Sequence, residues 1–228
     1  MRRVTVIIPA FNEENAIGNV IAEIPKDIVK EIVVVNNNSN DQTSKVATQA
    51  GAIVLDERRQ GYGFACLKGI DYVRNQSESP DIIVFLDADY SDYPQEMREL
   101  IKPIVEQNFD LVIGSRALGN RQQGSMTPQQ IFGNWLATNL LRWFYGVKFT
   151  DLGPFRAIKF DKLLALQMKD TTYGWTVEMQ LKAAQMRLKT TEVPVNYRRR
   201  VGFSKISGTI KGTVLAGYKI ITTIFKYL

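Results

Sequence analysis

The chain has 228 residues, 45% of them apolar and 23% charged, which excludes a disordered or fibrous protein and is enough for one large core. It contains no histidine and a single cysteine, Cys66, so Ser-His-Asp and Cys-His catalysis, histidine-ligated zinc and an intrachain disulfide are excluded. The net charge of +6 is unevenly placed: residues 182–228 carry +9 and residues 1–181 carry −3, which points to an anionic partner at the C-terminal end.

Two arginines open the chain, but the apolar run before Pro9 is too short for a signal peptide and has no small-residue cleavage site. No window reaches the roughly 18 uncharged apolar residues of a membrane span. With one unpaired cysteine, these features predict a cytoplasmic location, peripheral contact with the membrane remaining open. Val4–Pro9 reads as a buried strand, and Glu13–Ile24, apolar at 17, 20, 21 and 24, as a helix stopped by Pro25. Strands follow at Glu31–Val35, Ala52–Leu55, Asp81–Leu86 and Phe109–Ile113, between helices at Asp41–Ala50, Gly61–Arg74 and Pro94–Val105. Uninterrupted β-branched runs separated by helices predict an α/β fold in one domain, its central sheet mainly parallel and covered on both faces.

The second half is less regular. Ala117–Thr127 is a polar loop read as mobile, Pro128–Tyr145 a helix, Phe155–Phe160 a strand, Trp175–Met186 an amphipathic helix, Thr190–Tyr197 a strand and Arg198–Ser207 a basic loop. Trp135, Trp143 and Tyr145 sit among leucines, as packing or interface residues rather than a sugar-stacking platform. Ile206, Ile210, Val214, Tyr218, Ile221, Phe225 and Leu228 form a helical stripe, flanked by Lys211, Lys219 and Lys226, with Ile220, Ile224 and Tyr227 as a smaller patch beyond it. Burial against the sheet needs one apolar face; contact with a membrane surface or with another subunit in a homodimer would explain the second, and simple burial against the sheet is the other reading.

The strongest chemical signal is Asp87-Ala88-Asp89 at the end of the apolar strand Ile82–Leu86. Alternate residues of an extended segment share a side, so the two carboxylates can share a divalent ion; a solvated turn with one aspartate capping a helix is the other reading. An oxygen-only ligand set favours Mg²⁺ or Mn²⁺. Pro9–Glu14 and Asn36–Thr43 bring short polar side chains and helix starts to the same sheet edge, suited either to a nucleotide or to ordinary helix capping. Gly61-Tyr62-Gly63 lacks the third glycine of a dinucleotide fingerprint, and reads instead as a close approach to a nucleotide. Apolar strands without interleaved basic and aromatic residues argue against a nucleic-acid partner.

In this order, Pro9-Ala10-Phe11-Asn12-Glu13, Asn36–Thr43 and Asp87-Ala88-Asp89 resemble the opening motifs of the family 2 glycosyltransferases with the GT-A fold. Ile113–Arg116, Asp151–Arg156 and Tyr197–Lys205 look like segments of the dolichyl-phosphate mannose synthase subgroup. The resemblance implies a GT-A, Rossmann-like sheet, with a nucleotide-sugar-binding half at 1–115, an acceptor half at 116–205 and an amphipathic helix at 206–228. It implies that Pro9, Ala10, Glu13, Asn36, Asn38, Gly63, Asp87 and Ala88 surround the nucleotide sugar, with Asp87 and Asp89 on the metal and Asp89 catalytic. Asn36 stands where the family carries an acidic residue, and Ser91 where the mannose synthases carry Gln. In place of the family's Glu-Asp pair, Glu178 is followed by Met179, which leaves Glu178 as the one obvious general base. A phosphate acceptor is already ionised near neutral pH and needs none. Arg116, Arg156, Arg200, Ser204 and Lys205 are the expected acceptor-phosphate contacts.

The expected activity is therefore metal-dependent, inverting transfer of a hexose from a UDP-sugar or GDP-mannose to a polyprenyl phosphate or other lipid-linked acceptor. Two readings compete with it: transfer to a soluble hydroxyl with Glu178 as base, and a non-catalytic nucleotide-sugar-binding protein.

Overall fold

The structure, a computed structural model, describes residues 2–202 and 210–227. Seven strands form one sheet: β1 (Val4–Ala10), β2 (Val29–Asn36), β3 (Ile53–Asp56), β4 (Ile82–Phe85), β5 (Leu111–Ser115), β6 (Arg156–Lys159) and β7 (Thr190–Pro194), in the order β3-β2-β1-β4-β6-β5-β7. All neighbours pair in parallel except β6, which runs antiparallel to both β4 and β5. Every residue of β1 and β4 is buried, because helices cover both faces; hence the unbroken apolar runs of the sequence.

One face packs α1 (Ile17–Glu23), α2 (Thr43–Gln49) and α4 (Met97–Gln107). The other packs α3 (Tyr62–Arg74), α5 (Pro128–Tyr145), α6 (Phe160–Leu166), α7 (Trp175–Gln185) and α8 (Ile210–Lys226). The longest, α5, is punctuated at both ends. Thr127 and Gln130 make a reciprocal capping box, Pro128 takes the first turn, and Gly146 ends the helix in the left-handed conformation.

The chain winds outward from β1 through β2 to β3, then returns to place β4 on the opposite side of β1. At such a reversal the loops after the two central strands diverge and open a crevice beyond their C-terminal ends. The loops after β1 and β4 carry Phe11–Ala16 and Leu86–Tyr93, so the topology brings the Pro9–Glu13 and Asp87–Asp89 segments to one place.

Several expected elements shift. The first helix begins at Ile17 rather than Glu13, because the polar residues before it bond across to the next loop: Glu13 N donates to Thr43 Oγ1 (2.8 Å) and Asn40 N to Asn12 Oδ1 (2.8 Å). Phe160 ends no strand but opens α6. The 117–127 loop is laced to the segment after β7, with Tyr197 N donating to Asn120 O (2.9 Å) and Gln122 N to Tyr197 O (2.8 Å). The C-terminal helix packs with its smaller patch: Ile224 is fully buried, Ile220 and Tyr227 lie against the core, while Tyr218 and Phe225 of the longer stripe face outward. Ser204, Lys205, the beginning of that stripe at Ile206 and the Lys211 side chain lie outside the described residues.

Candidate active site

The crevice beyond β1 and β4 has a volume of about 430 Å³ and is lined by Pro9, Ala10, Phe11, Glu13, Asn37, Gln60, Gly61, Tyr62, Asp87, Ala88, Asp89, Thr172, Tyr173 and Arg200. It thus gathers Pro9, Ala10, Glu13, Asp87, Ala88, Asp89 and Arg200, seven of the expected site residues, from three separate segments.

The two aspartates have unequal surroundings. Asp87 Oδ1 is buried without a hydrogen-bond partner. Burial and the neighbouring Asp89 charge raise the Asp87 carboxyl to about 7. Asp89 accepts from the Ser91 amide (2.9 Å) and hydroxyl through Oδ1, and its Oδ2 faces the Arg200 guanidinium at 3.2 Å. The other arm of Arg200 reaches Glu13 Oε1 at 2.7 Å, so one cation ties the β1 loop to the β4 loop across the crevice. Behind them lies Asp92, 1% exposed, both of whose carboxylate oxygens lack a partner. Burial, then the Asp87 and Asp89 charges, push its carboxyl well above the ordinary range. The sequence pattern Asp-x-Asp gave no reason to include Asp92; only the turn after β4 buries it beside the pair. Among the described residues, no three acidic or cysteine side chains converge as a complete metal cage.

Asn36 and Asn38 do not line the crevice. Asn36 donates to Asp56 Oδ1 (2.9 Å) and accepts from Ser39 N (3.1 Å), and Asn38 is exposed at φ 64°. Their neighbour Asn37 does line it. Its amide donates to the Glu57 and Arg59 carbonyls and its oxygen accepts from Gly61 N (2.8 Å), which fixes the turn entering α3. A three-asparagine run gives no sign of which member points inward; strand parity settles it only once β2 is known to end at Asn36. Gly63 also has a different task from the expected one. A Cβ there would sit 2.1 Å from the Asp170 carbonyl, so the glycine admits the 170–173 turn, and no side chain could replace its hydrogen without moving that turn.

The expected acceptor arginines separate. Arg156 is fully buried and donates to the carbonyls of Leu152, Gly153 and Thr176; it is a strut, and the structure removes it from the acceptor set. Burial brings its guanidinium down to about 10. Arg116 is locked bidentately to Asp151 (2.8 and 2.7 Å) and lies under the Tyr197 ring. Burial opposes the Asp151 charge, yet Arg116 holds that carboxyl below its ordinary value. Neither Arg116 nor Arg156 lines the crevice; Arg200 does. Arg198 is wedged between the Tyr90 and Tyr93 rings and bonded to Glu23, so the basic loop is not uniformly solvated.

Glu178 is likewise displaced from its expected role. It is fully buried, away from the crevice, and accepts from the amides of Lys169 and Asp170, from Tyr227 Oη and from Lys182 Nζ at 2.8 Å. Burial works against its charge, but these donors hold the carboxyl below its ordinary value. A carboxylate so saturated and enclosed cannot take a proton from an acceptor in the crevice.

A mainly parallel sheet, a cleft at its strand reversal and an acidic pair in the loop after the fourth strand define an enzyme of GT-A architecture. The family model of glycosyl transferase family 2 matches residues 5–166, and the chain belongs to that family of glycosyltransferases. An uncharacterised protein of Methanocaldococcus jannaschii is 30% identical over 95% of this chain and 88% of its own length. The undecaprenyl-phosphate mannosyltransferase of Micrococcus luteus is 28% identical over 92% of this chain and 90% of its own. Among solved structures, glucosyl-3-phosphoglycerate synthase of Mycobacterium tuberculosis with Mn²⁺, UDP-glucose and phosphoglyceric acid matches with a TM-score of 0.78 at 23% identity. That match covers 99% of this chain and 79% of the other, and shows that the two share a fold.

Proposed function

We propose that this glycosyltransferase moves a hexose from a UDP-sugar or GDP-mannose, with inversion, onto a polyprenyl phosphate or another lipid-linked anion at the cytoplasmic membrane face. The acceptor reading rests on the state of Glu178. With that carboxylate saturated, with Glu13 and Asp89 both facing Arg200, and with Asp87 given to the cation, none of the acids described in the crevice is left as a base for a neutral hydroxyl. A phosphate oxygen is already a nucleophile at neutral pH. The M. luteus relative, by its name, uses such an acceptor.

Asp87 and Asp89 fit a hard divalent cation: the donors are oxygens only, and one of them is buried without a partner. Mg²⁺ or Mn²⁺ bound there would neutralise the charge developing on the nucleoside diphosphate as the sugar departs. Mn²⁺ and UDP-glucose accompany the M. tuberculosis enzyme. Pro9, Ala10 and Asn37 form the floor suited to the nucleotide, and Arg200, reaching in from the segment after β7, is placed to orient the acceptor phosphate.

The outer surface supports peripheral attachment. No helix among the described residues is long and apolar enough to cross a membrane. Phe132, Trp135, Trp143 and Phe144 of α5 and Tyr218 and Phe225 of α8 are exposed, and Arg142, Lys148 and Lys226, close to them in sequence, are exposed too. Aromatic rings with flanking cations suit the headgroup level of an anionic bilayer.

A soluble phosphorylated acid is the second reading, favoured by the phosphoglyceric acid bound to the shared fold. A transfer assay separates the two. UDP-glucose and GDP-mannose are each offered with undecaprenyl phosphate in anionic vesicles or with phosphoglyceric acid in solution. Product only with the vesicles supports the lipid acceptor; product only in solution overturns it.

A further inference from the structure

Two buried carboxylates outside the acidic pair have no part in that chemistry, yet both organise one turn. Glu178 on α7 accepts from the amides of Lys169 and Asp170, and Asp170 Oδ1 in turn accepts from the amides of Thr172 (2.8 Å) and Gly174 (3.1 Å). The turn they fold, 169–174, presents Thr172 and Tyr173 to the nucleotide crevice. From the other side it abuts the glycine entrance of α3, where Phe64 N donates to Thr171 O (3.0 Å) and Gly61 and Gly63 leave no space for a side chain. Both carboxylates are also tethered to the C-terminal helix: Tyr227 Oη donates to Glu178, and Lys219 Nζ lies 3.1 Å from Asp170 Oδ2. Gly174 is packed so closely that a Cβ would sit 2.5 Å from both Asp170 Oδ2 and Thr223 Oγ1 of α8. The turn has no regular secondary structure to hold it. Its shape therefore depends on these charge-assisted bonds.

We propose that Glu178 and Asp170 are positioning residues for the donor, folding the 169–174 turn into the crevice wall, and that Tyr227 and Lys219 make this wall depend on the docked C-terminal helix. This rests on the crevice being the nucleotide-sugar site. Its consequence is a link between the seating of α8, which carries the exposed Tyr218 and Phe225, and affinity for the nucleotide.

Glu178→Ala, Glu178→Gln, Tyr227→Phe and Lys219→Met are compared with the wild type in two measurements. The first is calorimetric titration with UDP and with GDP in the presence of Mn²⁺, alongside steady-state transfer. The second is amide hydrogen exchange of residues 169–174. Glu178→Ala is expected to weaken nucleotide binding about tenfold, equivalent to roughly 1.4 kcal/mol, with a larger effect on donor KM than on kcat. Glu178→Gln is expected to recover part of the loss, since its oxygen can still accept from the two amides. Tyr227→Phe and Lys219→Met are expected to act in the same direction by a smaller factor, and all four to speed exchange at 169–174. A loss confined to kcat with unchanged nucleotide affinity would overturn the proposal and restore Glu178 as a base. Unchanged exchange at 169–174 in Tyr227→Phe and Lys219→Met, which keep the core intact if Glu178→Ala fails to fold, would overturn it as well. A wild type that binds neither nucleotide would sink the donor site itself, while the exchange measurement would still decide whether α8 holds the turn.

Discussion

Asp87 and Glu178 are both acids enclosed by this fold, and their surroundings are opposite. Glu178 is met by two backbone amides, a phenol and an ammonium, and is held ionised below its ordinary range. Asp87 keeps a buried oxygen with no donor, beside a like charge, and its carboxyl is raised to about 7. Native interiors rarely leave a polar atom so exposed to desolvation without a partner. In the crevice, the proposed cation supplies the partner that Asp87 lacks. Glu178, fully partnered, is proposed to shape the crevice wall instead.

The sharpest way to break this contrast is to neutralise each acid in turn. Asp87→Asn should lower turnover by about 10²–10³-fold while leaving the fold intact, as expected when a preorganised charge stabiliser is lost. Glu178→Gln should leave kcat far closer to the wild type. Equal losses in the two variants, measured by steady-state transfer beside thermal melts, would erase the distinction.

The arginines provide a parallel pair. Arg156→Met strips donors from three buried carbonyls and should destabilise the fold by about 2–3 kcal/mol in urea melts. Arg200→Ala removes a partly exposed bridge and should shift the melt little, while raising acceptor KM more than donor KM. A large stability loss in Arg200→Ala would make it another strut.

The pH dependence of the metal-free protein sharpens the contrast further. The folded value of Asp87, about 7, exceeds the unfolded value of about 3.9, so the folded state holds the extra proton. Its contribution to stability is complete below about pH 4 and is lost as pH rises toward 7. Asp92, also raised, acts in the same sense. Asp87→Asn should flatten this decline in denaturation midpoints, and Mn²⁺ should restore wild-type stability above pH 7. Gly63→Ala, whose methyl must displace the backbone of Asp170 and Thr171, should lower the melting midpoint and weaken nucleotide binding together.

The central strands and the acidic pair were legible because both follow from local pattern: β-branched runs mark a sheet covered on two faces, and Asp-x-Asp closes one of them. The burial of Glu178 was not legible. An acid four residues before Lys182 looks like an exposed helical pair, and the 169–170 amides that enclose it come from another segment. The fate of Arg116 and Arg156 was hidden for the same reason, since their partners Asp151 and the 152–153 carbonyls are positioned only where the chain returns from α5 into the antiparallel strand β6. The C-terminal stripe misled in a different manner. Among its described residues Tyr218 and Phe225 face outward while Ile224 of the smaller patch is buried, and Tyr145 and Gln185 bond the Ile224 and Tyr227 carbonyls on that side.

The central claim is that Asp87 and Asp89 hold a divalent cation against the diphosphate of the donor. Calorimetric titration of UDP and GDP into the wild type and Asp87→Asn, each with Mn²⁺ or with chelator, tests it directly. One nucleotide should bind the wild type about tenfold or more tightly when Mn²⁺ is present, a gain of at least roughly 1.4 kcal/mol, and Asp87→Asn should lose that gain. Binding indifferent to Mn²⁺, or equally strengthened by it in the variant, would contradict the account.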